Sequence, residues 1–140
     1  MRVIFTDTVD DVLEPIIKHK VEWIAKFFPG WAQDLIVVYH ETTDKDTTAS
    51  VQVFYQYRYI NLYIYPAFLT DKLWKETLFH ELVHVLMTPY TRKFENVVET
   101  MVDPAIQAYL RNDISEAEEA VCQDMAKLLT FLEKADIIEE

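Results

Sequence analysis

The sequence predicts an α+β domain in which a small antiparallel or mixed sheet packs against helices and the C-terminal half is helical. Three observations carry this. Short runs rich in Val, Ile, Tyr and Phe fill residues 35–65, as strands require. After Pro66 the apolar period switches from two to three or four and stays there to the end. The chain has 140 residues, 51% of them hydrophobic, with neither a linker nor a repeat, which fits one core and one domain over residues 1–140. That domain divides into a sheet with an N-terminal helix, residues 1–69, and a helical part, residues 70–140.

Residues 2–6 alternate and read as a short first strand. Over residues 9–28, Val9, Val12, Leu13, Ile16, Ile17, Trp23, Ile24, Phe27 and Phe28 recur at helical spacing. Thr8 or Asp10 can cap that helix; Pro15 requires a kink or a start near Glu14, and Pro29 and Gly30 end it. Residues 35–40, 50–55 and 59–65 read as strands of an antiparallel meander, with a polar turn over 42–48 and a tight turn near 56–58. A helix starts at Thr70 or Asp71 and stops at Thr88 and Pro89. A second begins near Arg92 and breaks at Asp103 and Pro104, an N-cap followed by proline. A last helix opens at Ser115, whose pairing with Glu118 matches a capping box, and runs to about Lys134.

Composition narrows the chemistry. The single glycine, Gly30, excludes a glycine-rich phosphate cradle or dinucleotide fingerprint, and the single cysteine, Cys122, excludes disulfide frameworks. A net charge of −11, from 13 Lys+Arg against 24 Asp+Glu, argues against nucleic acid or an anionic membrane as partner. The first residues lack the pattern of a signal peptide, and no apolar run approaches the ~20 residues needed to cross a bilayer. The expected location is a reducing cytosol. The sequence is silent on oligomeric state.

The chemistry-bearing pattern is His80-Glu81-Leu82-Val83-His84. Residues four apart on an α-helix share a face, so both imidazoles can address one cation about 2.0–2.1 Å away. Glu81 lies one step round, placed to reach a water on that cation rather than the cation itself. Zn²⁺ lowers the pKa of its water to about 7, and the adjacent carboxylate can take that proton and deliver it to a leaving amine. With 4 His in 140 residues the pattern arises by chance in roughly 1% of such sequences. Leu78, Phe79, Leu82, Val83, Val85, Leu86 and Met87 make the helix apolar nearly all round, so it should be buried, where Glu81 without a cation would be costly.

A catalytic zinc takes three protein ligands and keeps one position open. The extended pattern with a third histidine fails, because positions 87 and 90 are Met and Tyr. His19 and His40 are expected to be satisfied or exposed, which leaves a carboxylate among Glu116, Glu118 and Glu119. Here the chain resembles the gluzincins, zincin-like metallopeptidases in which a glutamate from a downstream helix completes the zinc site. In their thermolysin-like branch that glutamate opens Glu-Ala-Ile-Ser-Asp, to which Glu119-Ala120-Val121-Cys122-Gln123 is similar, with Gln123 replacing the final acid. The resemblance covers roughly residues 59–133 and implies His80, His84 and Glu119 as zinc ligands, Glu81 as general base, and a peptide or protein substrate.

Glu118 is the rival ligand: it lies nearer the middle of the apolar stripe, but the expected cap at Ser115 already occupies it. Gln123 can still accept a hydrogen bond from a ligand imidazole. Tyr90, Tyr109 and Arg111 are candidate donors to a developing oxyanion. Residues 59–65 would be the edge strand along which substrate backbone lies, with Tyr59, Asn61, Tyr63 and Tyr65 lining it, covering the sheet or meeting a partner. The acidic balance favours basic peptides. A second reading is a zinc-bearing interaction or assembly module with little or no peptidase activity; a third is a metal-free domain with a chance motif.

Overall fold

A computed structural model describes residues 1–41 and 46–135. Within them the chain is α+β, with strands β1 (Arg2–Phe5), β2 (Asp34–Tyr39), β3 (Ala49–Phe54) and β4 (Tyr59–Ile64) and helices α1 (Glu14–Ala25), α2 (Trp74–Glu99) and α3 (Pro104–Lys134). The polar turn expected over 42–48 lies partly outside the described residues.

The strands form one mixed sheet in the order β1-β2-β4-β3. β1 and β4 both run parallel to β2, with Ile4 opposite Ile36 and Leu35 opposite Ile60, and only β3 and β4 pair antiparallel. The expected meander is therefore corrected. α1 carries the chain between parallel β1 and β2, and the antiparallel pair is joined by a short 3-10 turn, Tyr55–Tyr57, closed by Arg58 at φ 58°. That is the tight turn expected at 56–58. A consequence for function is that β4 lies inside the sheet and β3 is its edge, the reverse of the expectation for residues 59–65.

One sheet face is buried by α1 and α2. Leu35, Val37, Ile60, Leu62 and Ile64 meet Ile17, Val21 and Ile24 of α1 and Leu78, Phe79, Leu82 and Val85 of α2, and all of these are essentially inaccessible. Full burial of each such side chain contributes about 1.5–3 kcal/mol, so this layer dominates stability. Trp23 is its aromatic hub, edge-on to Phe27, Trp74 and Phe79 at 5.1–5.4 Å. On the opposite face the tyrosines are half-buried and bonded along the sheet: Asn61 donates to Tyr63, Tyr63 donates to Gln52, and Ser50 bonds Tyr65.

Local start signals are obeyed where nothing opposes them. α1 begins at Glu14 with Pro15 in its first turn, and Asp10 Oδ1 accepts from the backbone N–H groups of Val12 and Leu13 just ahead of it. Residues 66–70 form a 3-10 turn, so α2 starts at Trp74 rather than at 70 or 71; Asp71 accepts from Leu73 N–H and Thr77 Oγ1. Asp103 caps α3 by accepting from Ala105 N–H, with Pro104 next.

Two expected helix boundaries, the stop at Pro89 and the start at Ser115, fail. α2 passes through Pro89, which removes one backbone donor, while Thr88 Oγ1 donates to the carbonyl of His84 and Thr91 Oγ1 to that of Thr88. α3 passes through Ser115, so the capping box with Glu118 does not form. The cause is tertiary: α2 and α3 lie antiparallel along their whole length, tied by Lys75 to Glu133 at 2.5 Å and by Arg111 to Glu95 at 2.6 Å.

Candidate metal centre

The helix pair brings the site together. His80 and His84 stand one turn apart on α2 with ring centroids 5.0 Å apart. Glu119 reaches from α3 to both, its Oε1 2.8 Å from His80 Nε2 and its Oε2 3.1 Å from His84 Nε2. Among the described residues, these three are the group of His, Cys, Asp and Glu side chains that could hold a cation, one donor atom from each lying within 4.8 Å of the others.

The donor set fits zinc. Two imidazoles and a carboxylate are a known catalytic combination, and ligands ~2.0–2.2 Å from a tetrahedral ion lie about 3.3 Å from one another, so the two His–Glu119 contacts need to open by only a few tenths of an ångström. His80 and His84 are partly buried and Glu119 is half exposed, which leaves an approach from solvent.

Continuity of α3 settles where Glu118 goes. Released from any cap, its Oε1 lies 3.4 Å from His84 Nδ1, on the ring nitrogen opposite the one facing Glu119. A carboxylate there favours Nδ1–H and leaves Nε2 as the donor, the usual arrangement behind a ligand histidine. This is the role expected of Gln123, which is exposed and makes no hydrogen bond to either imidazole among the described residues. Adjacent carboxylates at 118 and 119 thus take the two ring nitrogens of one histidine.

Glu81 sits beside the cluster, against the edge strand. Its carboxyl is pushed up to about 8, first by burial and then by the charge of Glu119, while a hydrogen bond from the backbone N–H of Val51 on β3 acts the other way. Cys122, buried behind the site, is pushed up to about 12 by burial and by Glu118, Glu119 and Glu81, and so is an inert thiol.

Two cavities flank His80 and Glu81. One, of about 520 Å³, is bordered by Thr48, Ala49, Asp71, Thr77, Gln123 and Lys127; the other, of about 370 Å³, by Ser50, Val51, Val53, His84, Thr88 and Glu118. Together they make a trough along β3, and this edge strand is the feature that sequence reasoning missed.

Other expected positions lie elsewhere. His19 and His40 pack edge-on to Trp74 and Tyr65. Arg111 is held by Glu95, while Tyr90 and Tyr109 are exposed on the far part of the helix pair, and none of the three lines either cavity. Leu86, expected in a helix buried all round, is exposed, and Glu116 bonds Asn112 in solvent.

The chain matches no protein-family model, no curated protein and no solved structure. Among the described residues no helix is long and apolar enough to cross a membrane.

Proposed function

We propose that this chain is a compact, zincin-like zinc metallopeptidase that hydrolyses peptide bonds in the cytosol. The observation that carries the reading is the convergence of His80, His84 and Glu119 from two helices, with the partly buried Glu81 carboxyl between them and the edge strand β3. Zinc held by those three side chains would polarise the scissile carbonyl and acidify the attacking water. The chain supplies the rest. A peptide laid along β3 would pair with its outward backbone groups, placing the scissile bond over His80 and Glu81 where the two cavities meet. With a cation beside it the Glu81 carboxyl would be ionised, and it would take the proton of the attacking water as the new C–O bond forms and return it to the amide nitrogen as the C–N bond breaks. Glu118 holds His84 in one tautomer throughout.

The test pairs elemental analysis of the purified protein with cleavage of an unfolded basic protein. One zinc per chain and cleavage that falls by ~10²-fold or more in Glu81→Gln, with zinc retained, are the expected results.

A second reading, a zinc-bearing interaction module, is favoured by one observation: Glu119 already bonds both imidazoles directly, a self-contained arrangement that needs no substrate. Stoichiometric zinc with no cleavage by either form selects that module, and no zinc binding at all leaves only a His–Glu cluster.

A further inference from the structure

The two halves of the trough along β3 differ in charge, a difference that the proposed chemistry does not use. The cavity of about 520 Å³ has Asp46, Asp71 and Glu76 in its wall against a single cation, Lys127. The cavity of about 370 Å³ is walled, apart from the metal-site residues and Glu118, by Ser50, Val51, Val53 and Thr88, with no cation and no further acid. Both share His80 and Glu81, so a peptide whose scissile bond lies over those two residues sets one flank of that bond in each cavity.

Glu76 is the wall residue that separates the two halves. It stands one turn before His80 on the face of α2 that also carries His84, and it is half-buried. Its carboxylate has no hydrogen bond and no ion pair among the described residues, and Lys127 of the same cavity does not reach it. Asp71 accepts from Leu73 N–H and Thr77 Oγ1, neutral donors that hold it in place without offsetting its charge. A half-buried carboxylate loses hydration that nothing here returns, and a cationic group entering the cavity would return it. Ala49, Leu73 and Ala126 give the same wall an apolar part, suited to the methylene stem behind such a group.

We propose that the larger cavity is a specificity pocket for a lysine or arginine side chain of the substrate, with Glu76 as the residue that recognises its charge. The inference rests on the peptidase reading for the path of the peptide, which sets the basic residue beside the scissile bond. It replaces a general attraction of a chain of charge −11 for basic proteins by a local requirement, one basic residue at one fixed position. The smaller cavity sets no such condition on the other flank. Lys127 alone would favour an acidic residue in the larger cavity, but three carboxylates share that wall with it.

Two measurements test it. Mass spectrometry of the fragments that the zinc-loaded chain releases from a mixture of unfolded proteins should show Lys or Arg enriched about tenfold at one position flanking the cleaved bond. The enrichment should vanish in Glu76→Gln and give way to Asp or Glu in Glu76→Lys. Fluorescence anisotropy with the metal-free chain reads the same pocket without catalysis. A short end-blocked peptide carrying one lysine should bind about tenfold more tightly than its norleucine analogue, and the gap should shrink with added salt and close in Glu76→Gln. Equal affinity of the wild-type chain for the two peptides overturns the inference, whatever the variants do. Cleavage without a basic preference, or with an acidic one, also overturns it and leaves the peptidase reading standing. Lysine-selective binding that needs Glu76, with no cleavage of any protein, supports the pocket and overturns the peptidase reading instead.

Discussion

At the residue scale, Glu118 and Glu119 show how one position of helical phase divides two tasks. Glu119 touches both imidazoles through Nε2 and Glu118 touches only His84 Nδ1. Removing a ligand should therefore cost more than removing its orienting neighbour: titration against a competing chelator should show zinc affinity falling ~10–100-fold in Glu118→Ala and further in Glu119→Ala. The reverse order would exchange their roles. Glu81 makes a second prediction. Its folded carboxyl keeps its proton up to about 8, against an ordinary value of 4.5. Between those values the folded metal-free chain binds more protons than the unfolded chain, so stability falls as pH rises through that window and levels off above it. Urea unfolding of metal-free protein should show a loss on the order of 1–3 kcal/mol from pH 5 to 8, which Glu81→Gln removes. A slope unchanged in Glu81→Gln would place its origin elsewhere.

At the scale of elements, the legible parts were those whose cause is local. The four-residue spacing of His80 and His84, the cap at Asp103 and the turn before Tyr59 each depend on a few neighbouring residues, and the sequence carries them openly. Strand order does not have that property. Nothing near residues 50–65 reveals that β2 will insert beside β4 and leave β3 at the edge, because that pairing is decided by the packing of α1 and α2 over the whole sheet. Ser115 and Pro89 are the instructive failures, since both are sound local signals overridden by the long α2–α3 contact. Two consequences can be measured by denaturant unfolding. Asp103→Ala should cost about 1 kcal/mol, the worth of a true cap, whereas Ser115→Ala should lie within ~0.5 kcal/mol of wild type because no cap exists there. Pro89→Ala restores a donor for the carbonyl of Val85 and should stabilise by about 1 kcal/mol or more.

At the scale of the molecule, the proposed metal site would also be a joint. α3 adds little to the main core, with Ala126 buried and Leu129 packed against it, and it is joined to α2 by polar links at 75–133 and 95–111 and by the histidine–glutamate cluster between them. A cation that bonds His80, His84 and Glu119 at once would fasten the two helices, and it would favour the folded chain because the three donors span 39 residues in the unfolded one. Mass action then converts affinity into stability: at a free zinc concentration 100 times Kd the gain is about 2.7 kcal/mol. For a chain of 140 residues that corresponds to a rise in Tm of roughly 10 °C. Calorimetry with and without zinc should show this rise in wild type and in Glu81→Gln alike, since Glu81 is not a ligand, and only a residual rise in Glu119→Ala. A zinc-induced shift that survives Glu119→Ala would mean that the ion binds to α2 alone, leaving the two helices unfastened and the three-ligand centre, on which the proposed chemistry depends, unformed.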